Sequence, residues 1–126
     1  MTTPQIFERS KFDIDLEGGE EWEGFFKNLI GSGKVECKRD KTAHKTGDIF
    51  IEYKCRGKPS GLSITEAGWW AIAIDNPKGD FETAILASVP WLKDKCRSLL
   101  ETGRDVNGGD DNATCGILLR MDDFRT

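Results

Sequence analysis

Two short segments alternate in polarity with a period of two residues, and that alternation limits what this chain can build. Residues 34–40 read KVECKRD and residues 48–54 read DIFIEYK. Val35 and Cys37 alternate with charged residues in the first, and Ile49, Ile51 and Tyr53 alternate with mostly polar ones in the second. Side chains on a strand point to opposite faces in turn, so each segment reads as a β-strand with an apolar face and a charged one. The connection KTAHKTG is polar and short, which favours an antiparallel hairpin. With Asp40 opposite Asp48, Glu36 falls opposite Glu52, and Lys38 falls opposite Phe50. Both segments carry a Glu-x-Lys triplet, Glu36 with Lys38 and Glu52 with Lys54.

Opposed carboxylates destabilise an ordinary sheet face. A divalent cation would compensate, because Mg²⁺ takes a small number of carboxylates and keeps several waters. A lysine beside such an ion can orient or deprotonate an attacking water and steady charge on a phosphate. The pattern therefore suits metal-assisted phosphodiester hydrolysis. It suits at least as well a salt-bridged hairpin in which each lysine neutralises a glutamate across the strands, since alternating Glu and Lys is common on exposed strands.

The rest of the chain supplies an α/β framework. Trp22, Phe25, Phe26, Leu29 and Ile30 follow the spacing of an amphipathic helix over residues 20–30, with Glu20, Glu21 and Glu23 in its first turn. Gly31 and Gly33 end it. GKPSGL is a turn, and SITEA reads as a short helical start capped by Ser63 or Thr65. WWAIAI is a buried strand with one tryptophan in the core and one partly exposed. FETAILAS is a strand hairpinned to it. Ser88 caps a helix running to about Glu101, with Pro90 in its first turn. VNGGDDNATC reads as a loop, and GILLRM as a last strand.

With 126 residues, 37% of them hydrophobic, one domain spanning 1–126 is expected. The longest apolar run, Trp69 to Ile74, is too short for a membrane span of about 20 helical residues, and MTTPQIFERSKF lacks a signal peptide's apolar stretch. A soluble cytoplasmic protein follows, without membrane partners. The four cysteines, 37, 55, 96 and 115, form no close pair, so buried thiols are expected rather than a zinc site. His44 is expected to be solvated in its polar loop. The net charge of −4 hides an asymmetry: residues 34–58 hold eight basic and four acidic side chains. A basic segment on an acidic body is suited to face phosphates.

The order of elements adds a resemblance. An acid-headed helix precedes a strand bearing an acid near its start, and a second strand ends in Glu-x-Lys. This resembles the PD-(D/E)XK nuclease superfamily, which includes restriction endonucleases and archaeal Holliday-junction resolvases. More closely, VECKRDKTAHKTGDIFIEYKCRGKPSGLSITEAGWWAI with GGDDNATCGILL looks like short phage and bacterial proteins of that superfamily, across most of residues 12–121. The resemblance implies a restriction-endonuclease-like fold, with a mixed central sheet flanked by helices. It implies a metal-dependent DNA endonuclease using Mg²⁺ or Mn²⁺, acting on branched or structured DNA. Carried over by position, Glu36 and Glu52 are the metal-binding acids and Lys54 is the lysine of the motif. Glu20, or else Glu23, is the helix acid. Lys38 competes with Lys54, because the lysine moves to a neighbouring strand in some members. The Pro-Asp of the motif is absent. Arg56, Lys58 and Ser60 in the adjoining RGKPSG loop are candidate substrate contacts. Resolvase-like members act as homodimers, and no dimer seam is visible in this sequence. A phage-encoded member would work in the host cytoplasm. Two other readings stay open: a non-catalytic nucleic-acid-binding module on the same fold, and a small phage-encoded interaction protein that blocks a host factor.

Overall fold

The computed structural model describes residues 16–125, and the chain separates into two compact units, Met1–Gly33 and Lys34–Thr126. Residues 1–15, which hold the stretch MTTPQIFERSKF, lie outside the described residues. In the first unit, helix α1 (Leu16–Gly31) forms where the apolar spacing requires it. Its aromatic stripe is partly exposed, and Trp22 stacks obliquely on Phe25 and Phe26 at ring separations of 5.7 and 5.5 Å.

The second unit holds the remaining elements. They are β1 (Val35–Asp40), a single helical turn α2 (Ala43–Thr46), β2 (Asp48–Cys55), a two-residue β3 (Lys58–Pro59), β4 (Trp69–Asp75), β5 (Phe81–Ser88), α3 (Val89–Leu99), β6 (Asp105–Gly108) and β7 (Thr114–Arg120). Short 3₁₀ turns cover Gly61–Ser63, Asp110–Asn112 and Met121–Phe124.

The class is mixed α/β, with the strands in two sheets where one central sheet was expected. One sheet has the order β1-β4-β5, and the other has the order β3-β2-β7-β6. The expected β1–β2 hairpin does not form. β1 instead runs parallel to β4, with Glu36 beside Trp70 and Lys38 beside Ile72. β2 pairs antiparallel with β7, setting Asp48 against Arg120 and Glu52 against Gly116.

The cause lies at the end of β1. One oxygen of the Asp40 carboxylate accepts the backbone N–H groups of Thr42 and Ala43, at 3.0 and 2.8 Å, and so winds α2. Gly47, at φ +75°, closes that turn. The chain enters β2 displaced from β1, and the second Asp40 oxygen accepts the Phe50 N–H at 3.3 Å. The strands meet at this one point instead of along a ladder.

The core lies between the sheets and α3. Ile49 and Ile51 of β2, Ile117 and Leu119 of β7, Trp70 and Ile72 of β4, and Leu92 and Cys96 of α3 are all buried in one cluster. Each large aliphatic side chain buried there contributes about 1.5–3 kcal/mol over leaving it in water. Ser88 caps α3 as its sequence suggests, accepting the Trp91 N–H at 3.3 Å. Three local expectations fail. SITEA forms no helix beyond the 3₁₀ turn, VNGGDDNATC contains β6, and of the four cysteines only Cys96 is fully buried, Cys37 being exposed. No helix among the described residues is long and apolar enough to cross a membrane.

Candidate active-site cleft between the two sheets

Where β1 and β2 part, they leave a cleft of about 240 Å³. Lys38, Arg39 and Asp40 line it from β1, Ile49 to Glu52 from β2, Trp70 and Ile72 from β4, and Gly61 from the 3₁₀ turn. Lys38 and Glu52 therefore share one cavity although their strands belong to different sheets.

Glu36 and Lys38 lie on the same face of β1, as strand alternation demands. Lys38 Nζ is 2.7 Å from Glu36 Oε2 and stands 4.8 Å from the centre of the Trp70 ring. The other carboxylate oxygen, Glu36 Oε1, accepts a 3.0 Å hydrogen bond from the Thr65 hydroxyl. That hydroxyl itself accepts from the Trp70 indole N–H at 3.2 Å and from the Ala67 backbone N–H at 3.3 Å. A threonine hydroxyl has one proton and two lone pairs. Both lone pairs are taken by groups that can only donate, so the proton points at Glu36. Burial pushes the Glu36 carboxyl up; the hydrogen bonds from Lys38 and Thr65, with the nearby ammonium charge, outweigh it and hold the group below the ordinary carboxylate range.

Glu52 is placed differently. Its carboxylate has no hydrogen-bond or ion-pair partner among the described residues, and it is half-buried in the cleft wall. Its backbone is pinned from behind by Gly61, which sits at φ +51° so close that an added Cβ would lie 2.3 Å from the Glu52 carbonyl oxygen. Only glycine fits there. On the opposite strand, Gly116 makes room for the Phe50 ring, which a Cβ would meet at 2.4 Å.

Lys54 does not join Glu52. The β2–β7 register shifts between Glu52 and Lys54, leaving Tyr53 as an extra residue. A bulge breaks the alternation that would have kept the two on one face. Lys54 is exposed and outside the cleft lining. Tyr53 turns inward, and its hydroxyl donates to Asp105 Oδ1 at 2.7 Å; that bond and burial push its phenol up to about 12.

The remaining candidates fall into three groups. Glu20 and Glu23 lie on α1 in the first unit, both exposed, with Glu23 paired to Lys27. Arg56 and Lys58 belong to the tight β2–β3 turn, in which Arg56 and Gly57 both have positive φ, as a two-residue hairpin requires. Both cations are exposed, without ion-pair partners among the described residues. Ser60 differs: its hydroxyl is buried and unpartnered. His44, expected to be solvated, has both ring nitrogens buried without a partner.

The carboxylates meet the needs of a divalent ion in part. Asp40 is committed to backbone N–H groups, Glu36 is engaged on both oxygens, and Glu52 is open. Among the described residues no three His, Cys, Asp or Glu side chains form a metal-holding group. Glu36 is not among the residues that line the cleft, so of the two expected metal-binding acids only Glu52 faces it. A single open carboxylate is the fewest that Mg²⁺ takes when substrate phosphate oxygens and water supply the rest. Thr65 and Trp70 build this site; the sequence marks Thr65 as a candidate helix cap and Trp70 only as one of two tryptophans, one in the core and one partly exposed. The paired apolar and hydroxyl signal in SITEAGWW does not distinguish those roles. Comparison with known families, curated proteins and solved structures finds no match to this chain.

Proposed function

We propose that the protein is a metal-dependent DNA endonuclease that hydrolyses phosphodiester bonds in branched or structured DNA. The observation that carries this reading is the convergence of Lys38 and an unpartnered Glu52 on one cleft from two separate strands. The basic segment 34–58, from which Lys38 and Arg39 reach the cleft, and the superfamily resemblance of the sequence support it. Glu52, with Glu36, would hold Mg²⁺ or Mn²⁺, which when bound supplies charge neutralisation at the phosphate and a more acidic water. Lys38, oriented by Glu36 and by the Trp70 ring, presents a fixed positive charge to a phosphate oxygen. The Glu52 carboxylate accepts a proton or hydrogen bond from the attacking water. Arg56 and Lys58 position the DNA backbone. The active protein is cytoplasmic, in the host cell if phage-encoded.

Purified protein incubated with four-way and linear DNA should nick the branched substrate with Mg²⁺ and stop on adding chelator. Glu52→Ala should abolish cutting while leaving salt-sensitive DNA binding in place. A Glu52→Ala variant that cuts as well as the parent overturns the assignment. A second reading is favoured by the full engagement of Glu36: a non-catalytic DNA-binding module. It expects binding whose affinity falls steeply with salt, and no cleavage with any divalent ion.

A further inference from the structure

The alternation of β2 has one exception. Asp48, Phe50 and Glu52 share its charged face, and Phe50 alone among them is apolar. Phe50 belongs neither to the buried core nor to the residues packed against it. Its ring lies on the other side of the sheet, across β7. A Cβ added at Gly116 would stand 2.4 Å from the ring's Cε2 and Cζ and 2.8 Å from its Cε1. Those three distances put Gly116 under the face of the ring, not beyond its edge. Gly108 of β6 extends the floor, where a Cβ would meet Cζ at 3.4 Å. Two glycines thus let one face of the ring lie flat on the backbone. No ring or cation stacks on the opposite face among the described residues, and Phe50 stays partly exposed.

The ring stands beside the candidate site. The β2–β7 register is unbroken from Asp48 to Glu52, so Phe50 and Glu52 project from the same side of β2, about 7 Å apart along the strand. Both line the cleft with Lys38. Exposed cations flank the strand at its two ends, Lys41 and Lys45 before it and Arg56 and Lys58 after it.

We propose that Phe50 is a stacking platform for an unpaired nucleobase, so that the cleft takes single-stranded DNA, with a phosphate at Lys38 and Glu52 and the adjoining base on the open face of the ring. A base inside a duplex has both faces covered by its neighbours and offers none to a side chain. An unpaired or extruded base has a face free. Aromatic rings beside a basic backbone track are how proteins hold single strands without reading sequence. Phenylalanine has no donor or acceptor, so the stack selects strandedness and not base identity. The cations at both ends of β2 match a polyanion passing along the strand, and an apolar peptide would leave them unmatched. The inference rests on the DNA reading of the cleft and narrows its substrate to a strand that is unpaired next to the cut.

Fluorescence anisotropy on the full chain carrying Glu52→Ala, with Mg²⁺ present, measures binding without cutting. Adding Phe50→Ala should weaken binding of a labelled oligo-dT on the order of 10- to 100-fold, the usual effect of losing one base–aromatic stack. Binding of a duplex should barely change. Phe50→Leu keeps an apolar cover over the two glycines, stays folded by circular dichroism, and should lose as much as Phe50→Ala. Phe50→Tyr should keep most of the affinity. An oligonucleotide of abasic sites, which has phosphates but no base to stack, should bind with and without Phe50→Leu alike. If Phe50→Leu leaves oligo-dT binding unchanged, or weakens duplex and oligo-dT equally, the platform is overturned while the DNA reading of the cleft stands. If the Glu52→Ala chain binds neither DNA, the DNA reading itself fails and the platform fails with it.

Discussion

Glu36-Cys37-Lys38 and Glu52-Tyr53-Lys54 are the same triplet in two settings, and they do different things. On β1 the strand is regular, so Glu36 and Lys38 stay on one face and bind each other at 2.7 Å. Thr65 and Trp70 from the neighbouring segment lock both in place. On β2 the bulge at Tyr53 separates the pair, turning Lys54 out and leaving Glu52 alone in the cleft. The difference teaches that charge spacing does not define a site. One triplet becomes a rigid, self-neutralised cation holder, and the other yields an open carboxylate. The cleft takes the lysine of the first triplet and the glutamate of the second.

The largest test of that division compares the two lysines. If the cleft is the nuclease centre, Lys38→Ala should lower the cleavage rate by about 10²–10³, the usual effect of removing a positioned transition-state donor. Lys54→Ala should change the rate by less than about threefold, acting only as a single surface charge contacting phosphate. Single-turnover cleavage of a labelled four-way junction measures both. A reversal, with Lys54 essential and Lys38 dispensable, would mean that the bulge does not set the site.

Stability offers the second test, because the open carboxylate depends on a backbone held by Gly61. Gly61→Ala meets the Glu52 carbonyl at 2.3 Å and sits at positive φ. The strained backbone alone costs about 1–3 kcal/mol, and the clash adds to it. Gly57→Ala, also at positive φ but with open space around it, should cost only about 1–2 kcal/mol. Urea denaturation of the two variants ranks them. Equal losses would show that Gly61 does nothing for Glu52 beyond allowing a turn.

How much of this was legible in the sequence depends on the range of the interaction involved. The amphipathic spacing of Trp22 to Ile30, the Ser88 cap and the apolar runs of β4 and β7 are local signals, and each element appears where they place it. Both members of the cleft pair, Lys38 and Glu52, were also visible as charged positions on strands. The partner of β1 was not. Its choice of β4 over β2 turns on one carboxylate, Asp40, that folds the connection into a helical turn. No periodicity encodes that choice. The bulge at Tyr53 was hidden for a related reason: it follows from the fit of β2 against β7, some sixty residues away. Thr65 lay in plain view but reads as a cap until Trp70 and Glu36 are brought to it.

The last test concerns how firmly the β1 triplet is locked. Thr65→Val keeps the shape and removes the hydroxyl, leaving the Trp70 indole N–H and the Ala67 N–H without an acceptor. Orphaned donors of this kind cost about 1–3 kcal/mol. Thr65→Ser should restore most of it. The same change alters acid sensitivity. Glu36 is held below its unfolded value of about 4.3, so its contribution to stability is complete above that pH and is lost as pH falls through the folded value. Without the Thr65 bond the folded value moves up towards the unfolded one, and this part of the acid dependence shrinks. Carboxyl-carbon NMR titration of Glu36 reads the shift directly and needs no catalytic activity. If Thr65→Val leaves the Glu36 titration unmoved while Lys38→Ala raises it, the ammonium alone sets the carboxylate. Thr65 would then be a structural prop for Trp70, and the β1 triplet would be locked by its own two charges.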